Sequence, residues 1–139
     1  ADLPDAYFLG QFIPWDSERN ARVALENGME QRRPTTANLW WAENLDNAQT
    51  GIHDHLMYRK YGYGRYAAQA SVEIRKGTMD RDRALKLVRK FDGLFPRVYA
   101  GVPVDTVLRR IGMDWKTFTE TLDRFTNWEL FDDDLRVAA

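Results

Sequence analysis

The groups that an anion-binding turn needs occur together in one short run, Lys60-Tyr61-Gly62-Tyr63-Gly64-Arg65. Glycine lets the backbone approach a ligand, and the N–H groups in the first turn of a following helix attract negative charge. Lys60 and Arg65 stand at the two ends of the run, and the Arg65 guanidinium can hold a carboxylate or phosphate through two hydrogen bonds. The pattern predicts either an anion site between Gly62 and Arg65 or a plain helix–helix turn with solvated basic residues.

Polar residues just before this run are a second set of candidates. His53 and His55 lie two positions apart, so on a helix their imidazoles point in different directions and do not converge on one metal ion. We therefore expect no metal site, and we interpret His53 and Asp54 as groups at a helix start that are solvated or face a substrate. Asp46, in the preceding loop, is either a substrate contact or a turn residue. The sequence has no nucleophile–base constellation and no glycine-rich phosphate loop, so no catalytic residue is predicted.

The elements that must position these residues indicate a mainly α fold, a compact array of about five helices with one short N-terminal extended strand. Apolar residues recur at steps of three and four, and glycines follow the helical stretches as stop signals. Asp16 or Ser17, Asp80 and Asp114 are the expected N-caps. The aromatic run Tyr7–Ile13 predicts the strand. The helical pattern covers about residues 16–27, 52–61, 65–76, 81–91 and 103–111, and begins again at 114.

Two segments bear on how the helices pack. The stretch from Met29 to Thr50 has no clean period, and a loop of that length inside a domain is often functional. It contains a turn-like segment at Arg32–Thr36, and Trp40 and Trp41 are expected to fix it to the body of the protein. The last helix carries an apolar stripe that is expected to be core, and the acidic turn at residues 132–134 is expected to be solvated. The stripe is Trp115, Phe118, Leu122 and Phe125.

The composition argues against several classes of protein. The chain has 139 residues, 44% of them hydrophobic, and a formal net charge of -1. A balanced charge argues against nucleic-acid and membrane partners, and no apolar run approaches the roughly 20 residues of a membrane helix. Cysteine is absent, which excludes disulfides. We expect one domain over residues 1–139, located in the cytoplasm and without a signal peptide. The chain does not begin with Met, which favours an excised fragment.

Several blocks of the sequence carry a family resemblance. The most distinctive block is Gly51–Arg65, and the others are Tyr7–Asp16, Asn44–Asn47, Ala70–Gly77, Leu87–Gly93 and Ile111–Asp114. In this order the blocks resemble the C-terminal region of the N-acetyl sugar amidotransferases of lipopolysaccharide O-antigen and flagellin-sugar biosynthesis. The resemblance extends over about residues 7–128.

The resemblance implies that the chain is the helical, substrate-binding part of an ATP-dependent enzyme. In that family an ATP-pyrophosphatase domain activates a carbonyl-type group of the sugar as an adenylate. Ammonia from a separate glutaminase subunit then displaces AMP and leaves an amidino or amide product. ATP and Mg are implied for that other domain or subunit, and no cofactor is expected in this chain. Its sequence lacks the Ser-Gly-Gly-x-Asp-Ser loop, so we expect it not to hydrolyse ATP alone.

A nucleotide-sugar is the implied substrate, and the family pattern agrees with the anion site read from the residues. The residues expected to contact it are Asp46, His53, Asp54, Lys60, Gly62, Tyr63, Gly64 and Arg65. The alternative is a stand-alone, non-enzymatic binding or structural protein derived from the same domain.

Overall fold

The computed structural model describes residues 6–30 and 36–131. Within these residues it has six α-helices and one two-stranded sheet, which confirms the predicted, mainly α fold class. The contacts divide the chain into two units, residues 1–31 and residues 32–139. One domain over the whole chain remains a prediction. The turn predicted at Arg32–Thr36 lies almost wholly outside the described residues, and so does the acidic turn predicted at 132–134.

The first unit contains the helix α1 (Ser17–Glu26). Asp16 is its N-cap, because the Asp16 carboxylate accepts a hydrogen bond from the Arg19 N–H at 3.0 Å. Of the two candidate caps, Asp16 rather than Ser17 therefore begins the helix. Gly28 follows its end in a left-handed conformation, as a helix stop requires.

The strand predicted over Tyr7–Ile13 is wrong. The structure has a single turn of 3-10 helix there, at Leu9–Gln11. The N–H groups of Gln11 and Phe12 donate to the carbonyls three residues earlier, each at 3.0 Å. These local bonds satisfy backbone groups that a strand satisfies only through a neighbouring strand, and the described part of the chain offers this segment none.

The second unit contains five helices and a small hairpin in its described residues. A turn of 3-10 helix follows them at Trp128–Leu130. The strands pair antiparallel through the tight turn at Ala100 and Gly101, both with positive φ, and this hairpin was not predicted. In chain order the elements are α2 (Thr50–Tyr61), α3 (Arg65–Lys76), α4 (Arg81–Phe91), β1 (Val98–Tyr99), β2 (Val102–Pro103), α5 (Val104–Arg110) and α6 (Trp115–Phe125).

The helix boundaries follow the predicted signals. The carboxylates of Asp80 and Asp114 accept hydrogen bonds from backbone N–H groups in the first turns of α4 and α6, at 2.8 and 2.7 Å. Helices α2 and α3 end at Gly62 and Gly77, both in the left-handed conformation. Helix α3 begins differently, because its N-cap is Gly64, which has no side chain to offer the first turn.

The apolar core of the second unit is centred on α5 and α6. Val104, Leu108 and Phe118 form its buried cluster, and Phe95 packs against them. Of the stripe predicted as core on α6, Phe118 and Leu122 are buried, but Trp115 and Phe125 are exposed. Helix α6 packs against α2 and α5. These partners cover only the middle pair of the stripe, which is why the prediction fails at its two ends.

Helices α3 and α4 form the other packed pair. Ala70 of α3 and Ala84 of α4 are buried, and small side chains allow two helices to approach closely. The rings of Tyr66 and Phe91 stack with their centroids 5.5 Å apart. Burial raises the pKa of the Tyr66 hydroxyl. This pair brings the end of α4 next to the beginning of α3.

Candidate functional site

A buried ion pair links two of the residues that the sequence analysis singled out. The Arg65 guanidinium, at the first position of α3, donates two hydrogen bonds to the Asp54 carboxylate on α2, from Nε to Oδ2 at 2.5 Å and from Nη2 to Oδ1 at 2.7 Å. The Asp54 side chain is 8% exposed and the Arg65 side chain 24% exposed. The hydrogen bonds to Asp54 raise the pKa of Arg65, so both groups are charged.

The same carboxylate also orients an exposed imidazole. His53 Nδ1 lies 3.1 Å from Asp54 Oδ1. Because a carboxylate only accepts hydrogen bonds, Nδ1 carries the proton and donates it. The neutral ring then presents the Nε2 lone pair, and the His53 side chain is 72% exposed. Asp54 thus fixes a buried cation on one side and the tautomer of an exposed acceptor on the other.

The loop at residues 36–49 borders this ion pair. The charge of Glu43 acts on Arg65 and favours its charged form, after the larger effect of Asp54. The Tyr99 hydroxyl donates to the Asn44 carbonyl oxygen at 3.3 Å. Trp40 Nε1 donates to Glu73 Oε1 on α3 at 3.0 Å, which confirms that Trp40 fixes the loop to the body of the protein.

The first turn of α3 already carries an anion from within the chain. Asp92, just after α4, accepts hydrogen bonds from the N–H of Gly64 at 2.8 Å and of Tyr66 at 3.1 Å. A Cβ on Gly64 would stand 2.6 Å from Asp92 Oδ1, so the close approach of this carboxylate requires glycine. Burial raises the pKa of Asp92, and the N–H groups that point at it oppose that rise.

The remaining predicted residues are placed apart from the ion pair. Lys60 stands with its ammonium 5.4 Å from the centroid of the Tyr61 ring, and the rings of Tyr61 and Tyr63 lie 6.3 Å apart at the exposed turn. Gly62 forms this turn with a φ of 77°, the left-handed region that glycine favours. Asp46 lies exposed in the loop. The structure therefore joins Arg65 to Asp54 and His53 rather than to Lys60.

No metal site is formed by the part of the chain that the structure describes, since its His, Asp and Glu side chains do not gather in groups of three. His55 also lies away from any such group. Its Nδ1 donates to the Gly93 carbonyl at 2.9 Å, and its ring packs edge-on against Phe95 at 5.1 Å. Burial lowers the pKa of His55, which is therefore a neutral residue of the interior.

Comparison with known proteins gives the family. Residues 29–138 match the family model described as "LPS biosynthesis protein WbpG-like, C-terminal domain". The chain belongs to this family. It is a domain of a lipopolysaccharide biosynthesis protein, and the resemblance to the C-terminal region inferred from the sequence is confirmed. No curated protein gives a significant match. None of the helices described for the WbpG-like chain is both long and apolar enough to cross a bilayer.

Sequence reasoning missed several polar residues of this WbpG-like domain that the structure shows to be important. Asp92 was read only as part of a helix stop, although it caps α3 from 28 positions away. Gln69 is almost completely buried and bonds to the loop, and the signal for it was a polar residue beside Ala70 on a helix face that packs. Neither partner of either residue is near in sequence, so a helical pattern alone gives no means of finding the contacts.

Arg59 is a further buried charge in the domain. Its Nε donates to Thr126 Oγ1 at 3.0 Å, and its guanidinium lies 4.7 Å from the centre of the Trp128 ring and 5.7 Å from that of Phe131. Its carbonyl oxygen accepts from the Asn127 N–H at 3.0 Å. These contacts hold residues 126–131 against α2, so Arg59 supports the fold and not the candidate site.

Proposed function

We propose that this domain binds the nucleotide-sugar substrate of an ATP-dependent N-acetyl sugar amidotransferase. Two findings support the proposal. The family model concerns a C-terminal domain of a lipopolysaccharide biosynthesis protein, and its substrates are therefore sugars or sugar carriers. The second is the Asp54 carboxylate, which is buried yet directs an exposed imidazole toward solvent. This arrangement, the single observation that carries the proposal, is the kind of charge that binding sites retain.

The proposed reaction converts an N-acetyl group into an acetamidino group. The amide oxygen attacks the α-phosphorus of ATP, and pyrophosphate leaves. Ammonia adds to the carbon of the resulting imidate, and AMP departs with the former amide oxygen. A glutaminase subunit supplies the ammonia by hydrolysing glutamine. The steps balance, because each turnover consumes one sugar, one ATP and one ammonia and releases one amidine, one AMP and one pyrophosphate.

ATP and Mg are assigned by this proposal to an N-terminal ATP-pyrophosphatase domain or subunit. The described residues of this chain do not fit that role, since the first turn of α3 is occupied by Asp92 and the carboxylates do not cluster. A magnesium site needs one or two carboxylates beside the phosphates it serves. The role left to this chain is to hold and orient the sugar.

His53 and Arg65 are the residues proposed to touch the sugar nucleotide. The Nε2 lone pair of His53 accepts a hydrogen bond from a sugar hydroxyl, while Asp54 keeps the ring in the correct tautomer. The partly exposed Arg65 guanidinium offers its outer edge to a carboxylate or phosphate of the ligand, with its inner edge held by Asp54. Lys60, Tyr63 and Asp46 are retained as outer contacts of the same proposal.

The test uses the complete protein together with its glutaminase partner, or with an ammonium salt in place of that partner. A panel of nucleotide-linked N-acetyl sugars is screened for sugar-dependent release of pyrophosphate. His53→Ala and Arg65→Lys should each raise the KM for the sugar by about tenfold, as expected when one hydrogen bond is lost, and leave the KM for ATP unchanged. Lys86→Ala, at an exposed position of α4, is the matched control and should change neither constant.

The same assay separates this function from the non-enzymatic alternative. That alternative gains support from the internal partners of α3, because Asp54 and Asp92 already satisfy Arg65 and the first turn. If the ion pair only stabilises the fold, Arg65→Lys lowers the melting temperature without changing the KM for any sugar. The absence of sugar-dependent pyrophosphate release from the wild-type protein across the whole panel would exclude the enzymatic function.

A further inference from the structure

Gln69 of α3 has every hydrogen-bonding position of its amide occupied. The side-chain oxygen accepts from the backbone N–H groups of Leu39 at 2.8 Å and Trp40 at 3.3 Å. The side-chain nitrogen donates to Asn38 Oδ1 at 2.7 Å and to Glu43 Oε2 at 3.0 Å. An amide group has two acceptor and two donor positions, and Gln69, which is 3% exposed, uses all four.

All four partners belong to one irregular segment, residues 38–43. A buried segment without helix or strand has backbone N–H groups that need partners from elsewhere. The backbone of α3 is already bonded within the helix, so a side chain must provide them. Glutamine is suited to this because it both accepts and donates. One helical turn further on, Glu73 accepts the indole N–H of Trp40 at 3.0 Å, so the loop lies along one side of α3.

This side of α3 is the one that carries the candidate site. Arg65 and Gln69 are four positions apart on the helix, and residues at that spacing are neighbours on one face. Gln69 binds the Glu43 carboxylate directly, and the charge of Glu43 reaches Arg65. The bonds made by Gln69 therefore determine where the loop stands relative to the Asp54–Arg65 ion pair.

We propose that Gln69 is a positioning residue of the sugar-nucleotide site, which holds residues 38–43 against α3 so that this loop forms one wall of the site. The identity of the ligand rests on the proposed function, whereas the hold on the loop rests on hydrogen bonds alone. Gln69 acts through the loop and does not touch the sugar. Removing it should open the wall and leave the apolar cluster of α5 and α6 intact.

The first measurement is amide hydrogen exchange in the complete protein, which needs no ligand. In Gln69→Ala the N–H groups of Leu39 and Trp40 should exchange at least about tenfold faster than in the wild type, because each has lost its acceptor. The Phe118 N–H on α6 should be unchanged. Gln49→Glu, at an exposed glutamine beside α2, is the control for the same chemical change without these bonds.

A second variant separates loss of hydrogen bonds from loss of volume. Gln69→Glu keeps the shape of the side chain, but at pH 8 its carboxylate cannot donate and faces the Glu43 carboxylate. At pH 5 a protonated carboxyl again donates one hydrogen bond. Compared with the wild type at the same pH, exchange at Leu39 and Trp40 should be faster at pH 8 and closer to normal at pH 5. Gln69→Ala should show no such recovery.

Kinetics distinguish a positioning role from a structural one. Gln69→Ala should raise the KM for the nucleotide-sugar by about tenfold, leave the KM for ATP unchanged and lower kcat by less than about twofold. A general loss of folded protein would lower kcat at constant KM instead. Faster loop exchange with an unchanged sugar KM would overturn the positioning role while the proposed function stands.

Two outcomes test the two proposals separately. Unchanged exchange at Leu39 and Trp40 in Gln69→Ala would overturn the hold on the loop, whatever the enzyme does. A wild-type protein without sugar-dependent pyrophosphate release would remove the proposed function and the sugar wall with it. The expected pair, faster exchange and a raised sugar KM in the same variant, supports both.

Discussion

Helices α3 and α6 begin in opposite ways, although the first turn of each is capped by a carboxylate. At α6 the carboxylate belongs to the N-cap residue itself, Asp114, and accepts the Thr117 N–H at 2.7 Å. At α3 the N-cap is Gly64, and the carboxylate comes from Asp92, which is 28 positions further along the chain. One helix carries its own cap, and the other begins only when α4 is in place.

The pKa values show what each arrangement costs. The Thr117 N–H lowers the pKa of Asp114, which keeps its contact with water. Burial raises the pKa of Asp92, although several backbone N–H groups point at it. A local cap is therefore gained almost without desolvation, whereas the distant cap removes a charge from water. The start of α3, where Arg65 lies, depends on tertiary structure in a way that the start of α6 does not.

The largest expected effect is the loss of the apolar cluster that holds α5 and α6. Phe118→Ala should lower the free energy of unfolding by about 3–5 kcal/mol, because it leaves a cavity among Val104, Leu108 and Phe95. Urea denaturation measures the change. Phe125→Ala is the control, since Phe125 is exposed on the same helix and should cost less than about 0.5 kcal/mol. Equal losses in the two variants would contradict the assignment of this core.

The next largest effect should be removal of the distant cap. Asp92→Ala leaves the N–H groups of Gly64 and Tyr66 without their acceptor, at a cost of about 1–3 kcal/mol. Thermal unfolding gives the stability, and hydrogen exchange should show the damage concentrated in the first turn of α3. Asp82→Ala, at an exposed residue of α4, serves as the matched control.

Gly64→Ala sharpens this test, because the added methyl group would strike the Asp92 carboxylate. The two changes act through one contact, so the double variant should lose less stability than the sum of the single variants. The backbone at Gly64 has a φ of −119°, which any residue adopts, so the loss comes from crowding and not from backbone strain. Strict additivity would show that Asp92 and Gly64 do not act together.

A smaller effect is expected from the local cap. Asp114→Ala should lower the melting temperature less than Asp92→Ala, because water reaches the exposed first turn of α6 and replaces the lost acceptor. Combined with Asp92→Ala, it should be additive, since the two caps share no partner. A larger loss at Asp114 than at Asp92 would reverse the comparison between the two helix starts.

The smallest effect should be a pH dependence due to His55. Its pKa in the folded protein lies below the ordinary value of 6.5, so the unfolded chain binds more protons as the pH falls through 6.5. Stability should therefore decrease below about pH 6.5. His55→Gln, which can still donate to Gly93, should lose this dependence, and His53→Gln should keep it. An identical slope in the wild type and His55→Gln between pH 7.5 and 5.5 would be inconsistent with a neutral, buried His55.

The parts of the fold that depend on nearby residues were predictable from the sequence. The caps at Asp16, Asp80 and Asp114 and the stop at Gly62 were read correctly, because their partners lie within four positions. The strand at Tyr7–Ile13 was wrong, since aromatic composition indicates apolar surface but does not provide a pairing partner.

The candidate site could be predicted only in part. Residue type identified Arg65 and Asp54 correctly as functional candidates, but not that they bind each other across α2 and α3. The anion expected at the start of α3 is present as Asp92, a residue of this chain, and sequence gives no distance between Gly64 and Asp92. Gln69 escaped notice for the same reason, because its partners lie 26 to 31 positions away. Long-range polar pairing leaves no periodic signature.

Residues 91–93 serve three neighbours at once, and this has a consequence for how the family diverges. Phe91 stacks on α3, Asp92 caps it, and Gly93 gives its carbonyl to α2 and leaves no room for a Cβ beside Tyr58. A relative that abandons the reaction still has to fold, so it should retain Asp92 and Gly93. The exposed His53 and Asp46, which support no other part of the described chain, should drift first. Their loss beside an intact Asp92-Gly93 pair would mark a member that keeps the architecture without the chemistry.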